Sequence, residues 1–158
     1  MKSIVKSGLG AAIIAVCALI SLPFPVPFTL QTLGVFCISV MLDIKSAVSA
    51  IAVYIAVGAV GLPVFSGMQG GFQVLFGVTG GYIFGFLAAP FIIRYFKGRM
   101  FIRMITAQCV IYAIGTVWYA AITGAGVAAI LTTCVIPFII PDVIKIYIAL
   151  KIKDKLTV

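Results

Sequence analysis

Uncharged, apolar sequence fills this chain in three long runs, 7–42, 46–93 and 104–141. Charged residues collect between and beyond them: Lys2 and Lys6; Asp43 and Lys45; Arg94, Lys97, Arg99 and Arg103; and Lys151, Lys153, Asp154 and Lys155. A helix needs about 20 apolar residues to cross a bilayer, so each run is too long for one crossing and suited to two. Each run also carries a breaker near its middle: Pro23, Pro25 and Pro27 in the first, the glycine-rich stretch 61–81 in the second, and Thr123, Gly124, Ala125 and Gly126 in the third. The pattern predicts an all-α membrane protein with six transmembrane helices, near 7–22, 30–42, 46–60, 80–96, 103–122 and 134–151, in a single integral-membrane domain over 1–158. The second and third spans are short, which calls for tilt or a thin place in the protein.

The three hairpin tips contain no Lys or Arg, whereas every other connection does. The positive-inside rule therefore places the charged clusters and both termini in the cytoplasm. The basic start followed by an apolar run has the outline of a secretory signal, but a proline-rich turn and more membrane sequence follow Leu22 in place of a small-x-small cleavage site. This segment is read as the first span.

Composition agrees with that reading and removes the alternatives. Hydrophobic residues make up 64 % of the chain and charged ones 9 %, with a mean hydropathy of +1.32, against roughly 45–50 % and 25 % in a soluble domain. The net charge of +8 calls nucleic acid to mind, yet no stretch is polar enough to present a wet basic groove. With no histidine and three acidic residues, a metal site, an acid–base pair or a nucleophilic triad has nothing to be built from, so the chain is expected not to be an enzyme. Cys17, Cys37, Cys109 and Cys134 are isolated in apolar runs and read as small buried hydrophobes. There is no P-loop, so any energy for transport must come from an ion gradient or another protein.

Two charges violate the pattern. Asp142 and Lys145 lie inside the last apolar segment, three residues apart and hence on one helical face, just after Pro137 and Pro141. Each costs roughly 2.5–3.5 kcal/mol at the centre of a spanning helix, and such residues usually face a cavity or a partner. A carboxylate beside an ammonium suits a polar ligand that both donates and accepts hydrogen bonds; the bland reading is a tether between helices. The uncharged segment 61–81 suits a flap over a pocket, and in the turn 23–32 the side chains of Thr29, Gln31 and Thr32 can hydrogen-bond. In the first span, Gly8 with Ala12 and Ala11 with Ala15 repeat small residues at a spacing that admits another helix, from this chain or from a partner.

Taken together, segments 27–33 (Pro-Phe-Thr-Leu-Gln-Thr-Leu), 58–65 (Gly-Ala-Val-Gly-Leu-Pro-Val-Phe), Gly70-Gly71, 79–86 (Thr-Gly-Gly-Tyr-Ile-Phe-Gly-Phe) and 137–145 (Pro-Phe-Ile-Ile-Pro-Asp-Val-Ile-Lys) resemble the BioY family, the biotin-specific S components of energy-coupling factor (ECF) transporters. The resemblance implies an S-component bundle in a prokaryotic plasma membrane, with biotin bound in an outward-facing cavity under the first and third loops. It also implies a transmembrane coupling subunit that meets the small-residue face of the first helix (Gly8, Ala11, Ala12, Ala15), and two ATPase subunits that alone use ATP, with no cofactor in this chain. The chain departs from the family pattern in having Val78 within Gly77–Gly81, where proline is usual, and Pro141, where glycine is common. Biotin offers a ureido ring with two N–H donors and a carbonyl, apolar rings and chain, and a carboxylate. Asp142 is expected to accept from a ureido N–H and Lys145 to donate to its oxygen, with Gln31, Gln73 and Tyr82 as further polar contacts and Phe28, Phe65 and Phe72 as apolar walls. Backbone N–H groups of the glycine loop, or water, are left for the carboxylate. An S component for another vitamin and a stand-alone ion- or proton-coupled carrier are the competing readings.

Overall fold

The computed structural model describes residues 2–23 and 26–156; Pro25 of the expected first breaker lies outside the described residues. Helix α1 (Lys2–Leu19) runs into a two-residue antiparallel ribbon, β1 (Ser21–Leu22) with β2 (Phe28–Thr29), in which Ser21 pairs with Thr29. Then follow α2 (Gln31–Met41), α3 (Ile44–Ala59), the short α4 (Phe72–Leu75), α5 (Gly80–Gly85), α6 (Ala88–Tyr95), α7 (Met100–Thr123), α8 (Val127–Cys134) and α9 (Ile136–Leu156).

The helices fall where the apolar runs place them, with two adjustments. The first helix stops at Leu19, short of the expected Leu22, because the chain there turns extended to pair with Phe28 and Thr29. A helix the pattern did not predict, α8, precedes the last expected span (134–151), which is α9, and meets it at an angle of 46°. Val135 leaves helical geometry between them, and Pro137, two residues on, has no N–H to continue the ladder. By length and composition α7 can cross a membrane alone, and the bent pair α8–α9 can do so together; α1, α2, α3 and the stretch 80–95 are shorter apolar helices.

Helix α2 holds the centre, packing against α1, α3, α6 and α9, while α1 lies along α3, and α5 and α6 lie along α7. The core is made by Ile14, Val35, Phe36, Ile51, Tyr54, Met104, Ile111, Ile130 and Ile146. The exterior carries many large apolar side chains: Ile4, Val5, Leu9, Val16, Val117, Ile140, Ile144 and Tyr147 are all exposed. Surfaces of that kind match hydrocarbon rather than water. Cys37 and Cys134 are buried and Cys17 half-buried as expected of small hydrophobes, but Cys109 faces outward from α7 among these side chains.

The ends of the bundle differ. At one end α1 meets the start of α3 through Ser3 and Ser46 (Oγ to Oγ, 3.2 Å) and through Ser7 Oγ donating to Ser46 O (3.2 Å). Arg94 and Arg103 line a cavity there with Leu42 and Ile44. Asp43 caps α3 by accepting from Ser46 N at 3.0 Å. At the other end the segment between α3 and α5 folds back over the bundle, Phe65 bridging to Gln69 and Gly71 N donating to Gly58 O at 2.7 Å. The Phe65 ring lies directly over Gly58, where any Cβ would collide with it, and meets Tyr54 edge-on at 5.5 Å.

Candidate functional site

Eleven residues of α2 rise only about 16 Å, half the thickness of a bilayer core, so the start of α2 comes level with the interior of its neighbours. There it meets the stretch of α9 carrying Asp142 and Lys145, each 4 % exposed. The two side chains form an ion pair, Lys145 Nζ to Asp142 Oδ1, of 2.7 Å. Pro141 within α9 has no N–H to donate, which loosens the helix ladder immediately before Asp142.

Every hydrogen-bonding position of the pair is filled. Lys145 gives its three N–H groups to Asp142, to Thr29 O (2.6 Å) and to Thr32 Oγ1 (3.3 Å), with its ammonium 4.3 Å from the centre of the Phe28 ring. Asp142 Oδ1 accepts from Lys145 and from Thr32 Oγ1 (3.4 Å), and its Oδ2 accepts from Gln108 Nε2 (2.8 Å) and from the Tyr112 hydroxyl. The bonds to Thr32 are the longest in the set. A buried pair gains little over apolar packing unless its remaining sites are satisfied, and here three elements, β2, α2 and α7, supply the partners.

Above the pair lies a cavity of about 90 Å3, lined by Asp142, Lys145, Gln31, Thr32, Tyr82, Gln108, Tyr112 and Phe138, with Ser66, Gln69, Val74 and Thr79 of the folded-back segment on its far side. The expected flap over a pocket is thus the segment that closes this one. Among the described residues, three buried side-chain polar atoms have no hydrogen-bond partner: Tyr82 Oη and Gln108 Oε1, on residues that line the cavity, and Thr116 Oγ1 on α7.

The structure gathers Asp142, Lys145, Gln31 and Tyr82 on the cavity and sends other expected contacts elsewhere. Gln31 lies on the wall, but its amide is engaged by the protein: Oε1 accepts from Thr29 Oγ1 (2.9 Å) and Nε2 donates to the Tyr54 hydroxyl, which in turn donates to Val64 O (3.1 Å). Phe28 sits beside Lys145 and stacks on Phe138 at 6.0 Å, behind the lining. Phe65, 1 % exposed, is consumed by packing on Gly58 and Tyr54 and does not reach the cavity. Phe72 is 61 % exposed and stacks on Phe76, and Gln73 turns its amide back to Gly70 O (2.8 Å), so neither is a wall or a contact. Both fall on the outer side of the one-turn helix α4, whose inner side is given to Leu75.

Gln108 and Tyr112 went unselected in the sequence. They sit four apart in α7 and so share a face; a glutamine inside an otherwise apolar spanning helix was the available signal. Of the small residues of α1, Ala11 is buried within the chain and Ala15 is packed against the core, while Gly8 and Ala12 are exposed, and a Cβ on Gly8 would touch nothing. Ala11 is therefore corrected from a partner contact to an internal one, because it lies on the side of α1 that α2 and α3 cover.

Fold and site together define a helical protein with many apolar side chains on its exterior, built around a cavity whose wall carries a buried ion pair. Comparison with known proteins makes this specific. The BioY family model matches residues 1–157. A biotin transporter BioY of Thermotoga maritima is 49 % identical over 94 residues, 59 % of this chain, and the match spans just over half (56 %) of that relative's length. A probable biotin transporter BioY of Pyrococcus horikoshii is 39 % identical over 133 residues (84 % of this chain, 81 % of the relative). The biotin transporter BioY2 of Lactococcus lactis is 35 % identical over 153 residues (92 % and 84 %). A crystal structure of the S-component for biotin from an ECF-type ABC transporter has the same fold, with a TM-score of 0.88 at 24 % identity over 99 % of this chain and 90 % of that one. The chain belongs to the BioY family, whose members named here are transporters rather than enzymes.

Proposed function

We propose that this protein captures biotin and serves as the substrate-specific subunit of an ECF-type transporter. The observation that carries the ligand assignment is the hydroxyl of Thr32, which accepts from Lys145 and donates to Asp142 through the two longest bonds of the network, 3.3 and 3.4 Å. A urea edge presents the same two functions side by side: its carbonyl accepts and the adjacent N–H donates. Biotin's ureido ring replaces Thr32, exchanging two long charge-assisted bonds for two shorter ones without leaving either buried charge unpaired. The apolar rings then rest against Phe86, Ile111 and Phe138, and the carboxylate points toward Ser66, Gln69 and Thr79.

In the same reading the chain crosses a prokaryotic plasma membrane six times with both termini cytoplasmic, the Arg94–Arg103 end inside and the closing segment outside, as the loop charges require. The exposed Gly8 and Ala12 of α1 meet a transmembrane coupling subunit, and two ATPase subunits supply the energy that a chain without a P-loop does not. The family membership and the names of the relatives support this assembly.

Equilibrium binding of biotin to the detergent-purified protein, with dethiobiotin and thiamine as comparators, tests the proposal. Selective binding of the two ureido compounds is expected. Preference for thiamine would assign the subunit to another vitamin, and a folded sample that binds none of the three would overturn the reading.

A further inference from the structure

Resting on the biotin reading, we infer that Gln108 is a specificity-determining residue whose Oε1 receives the second N–H of the ligand's ureido ring. Gln108 is 4 % exposed, lines the cavity, and is held at one end, where Nε2 donates to Asp142 Oδ2 at 2.8 Å. That bond settles the orientation of the amide, because a carboxylate only accepts and the nitrogen must face it. Oε1 therefore points away from Asp142, and it is buried with no donor.

A buried carbonyl without a donor is costly to leave unpaired, so a partner arriving with the ligand is worth more here than at an atom already satisfied. The acceptors of Asp142 and Gln31 beside it are filled, and the open hydroxyl oxygens of Tyr82 and Thr116 can also donate, so Gln108 Oε1 is the unpartnered atom that can only accept. Asp142 has four donors on its two oxygens, and Gln31 Oε1 is taken by Thr29. A ligand N–H that goes to Gln108 Oε1 breaks no existing hydrogen bond, whereas one that goes to Asp142 Oδ2 must dislodge Gln108 or Tyr112. The cyclic urea has two N–H groups on either side of one carbonyl, and the replacement of Thr32 uses only one of them. Gln108 thereby demands an unsubstituted second nitrogen, and the site rejects a ureido ring alkylated or acylated there, since a buried acceptor left facing a methyl or carboxyl group is penalised twice, by the lost bond and by the clash.

The test is a thermodynamic cycle. Affinities of wild type and Gln108→Met are measured for biotin and for the two biotins singly methylated on one or the other ureido nitrogen. Methionine keeps the length of the side chain and removes the acceptor. Absolute affinities fall in the variant because the bond to Asp142 is also lost, but the ratios isolate Oε1. The wild type should discriminate against both methylated compounds, and Gln108→Met should reduce the discrimination against one of them by about tenfold or more while leaving the other unchanged. Equal discrimination in both proteins, for both compounds, overturns the inference. Gln108→Asn, which keeps an amide but withdraws it by one methylene, provides the same ratios where the methionine variant does not fold. A wild type that binds no biotin refutes the underlying reading instead, so the two failures are told apart.

Discussion

At the scale of single residues, the behaviour of the site follows from how completely two charges are satisfied. Removing one member of a buried pair strands the other, at a cost of about 3–5 kcal/mol. Lys145→Met and Asp142→Asn are each expected to lower unfolding stability in detergent by that order and to abolish biotin binding. The double variant should recover much of the stability and none of the binding, and wild-type affinity in either folded single variant would remove the pair from the site. Thr32 is expected to behave in the opposite way. Its hydroxyl is replaced by the ligand, so Thr32→Val should leave biotin affinity within about threefold of wild type or raise it, since the exchange no longer has bonds to break. A loss of tenfold or more, measured by titration calorimetry, would make Thr32 a direct ligand.

At the scale of elements, packing decides which residues of each helix face the cavity. Gly115 on α7 lies so close to the Tyr82 ring on α5 that a Cβ would overlap it, and this approach holds Tyr82 on the cavity wall. The link Gln31–Tyr54–Val64 joins the start of α2, through α3, to the closing segment, so Gln31 ties the cavity wall to its cover. Asp43 begins α3 and is fully exposed, and the backbone N–H of Ser46 holds its carboxyl below the ordinary value of 3.8. Because the folded protein favours the ionised form, this cap stabilises fully above that ordinary value and is lost as pH falls through the still lower folded value. Asp43→Ala should therefore melt at a lower temperature than wild type at pH 7, and the difference should shrink in scans taken progressively below about pH 4. A difference that persists unchanged in acid would show that the side chain acts by something other than its charge.

At the scale of the whole molecule, α1 presents two different faces. Ala11 packs inward and Gly8 with Ala12 faces outward, so substitutions on the two sides should separate folding from assembly. Leucine at Gly8 and Ala12 together is expected to prevent co-purification with the coupling subunit and spare biotin binding. Leucine at Ala11 should instead destabilise the isolated protein by about 1–3 kcal/mol, as overpacked sites do. Unchanged complex formation in the Gly8 and Ala12 variant would place the coupling subunit on another surface.

Much of this architecture was legible in the sequence because it rests on local and compositional physics. Runs without charge mark where helices lie, prolines and glycines mark where they break, and a spacing of three puts Asp142 and Lys145 on one face whatever surrounds them. What only the tertiary structure decided is which side chains complete that pair. Thr32 meets Asp142 across 110 positions of chain, and Gln108 across 34, and no periodicity links residues so far apart. The aromatic residues of 61–81 show the same limit from the other side: Phe65 and Phe72 have identical chemistry, yet one is buried over Gly58 and the other faces outward, because a loop's inward face is chosen by the helices beneath it. Burying a charge makes a demand that sequence states plainly, while the donors that meet the demand are set by which helices happen to pack alongside.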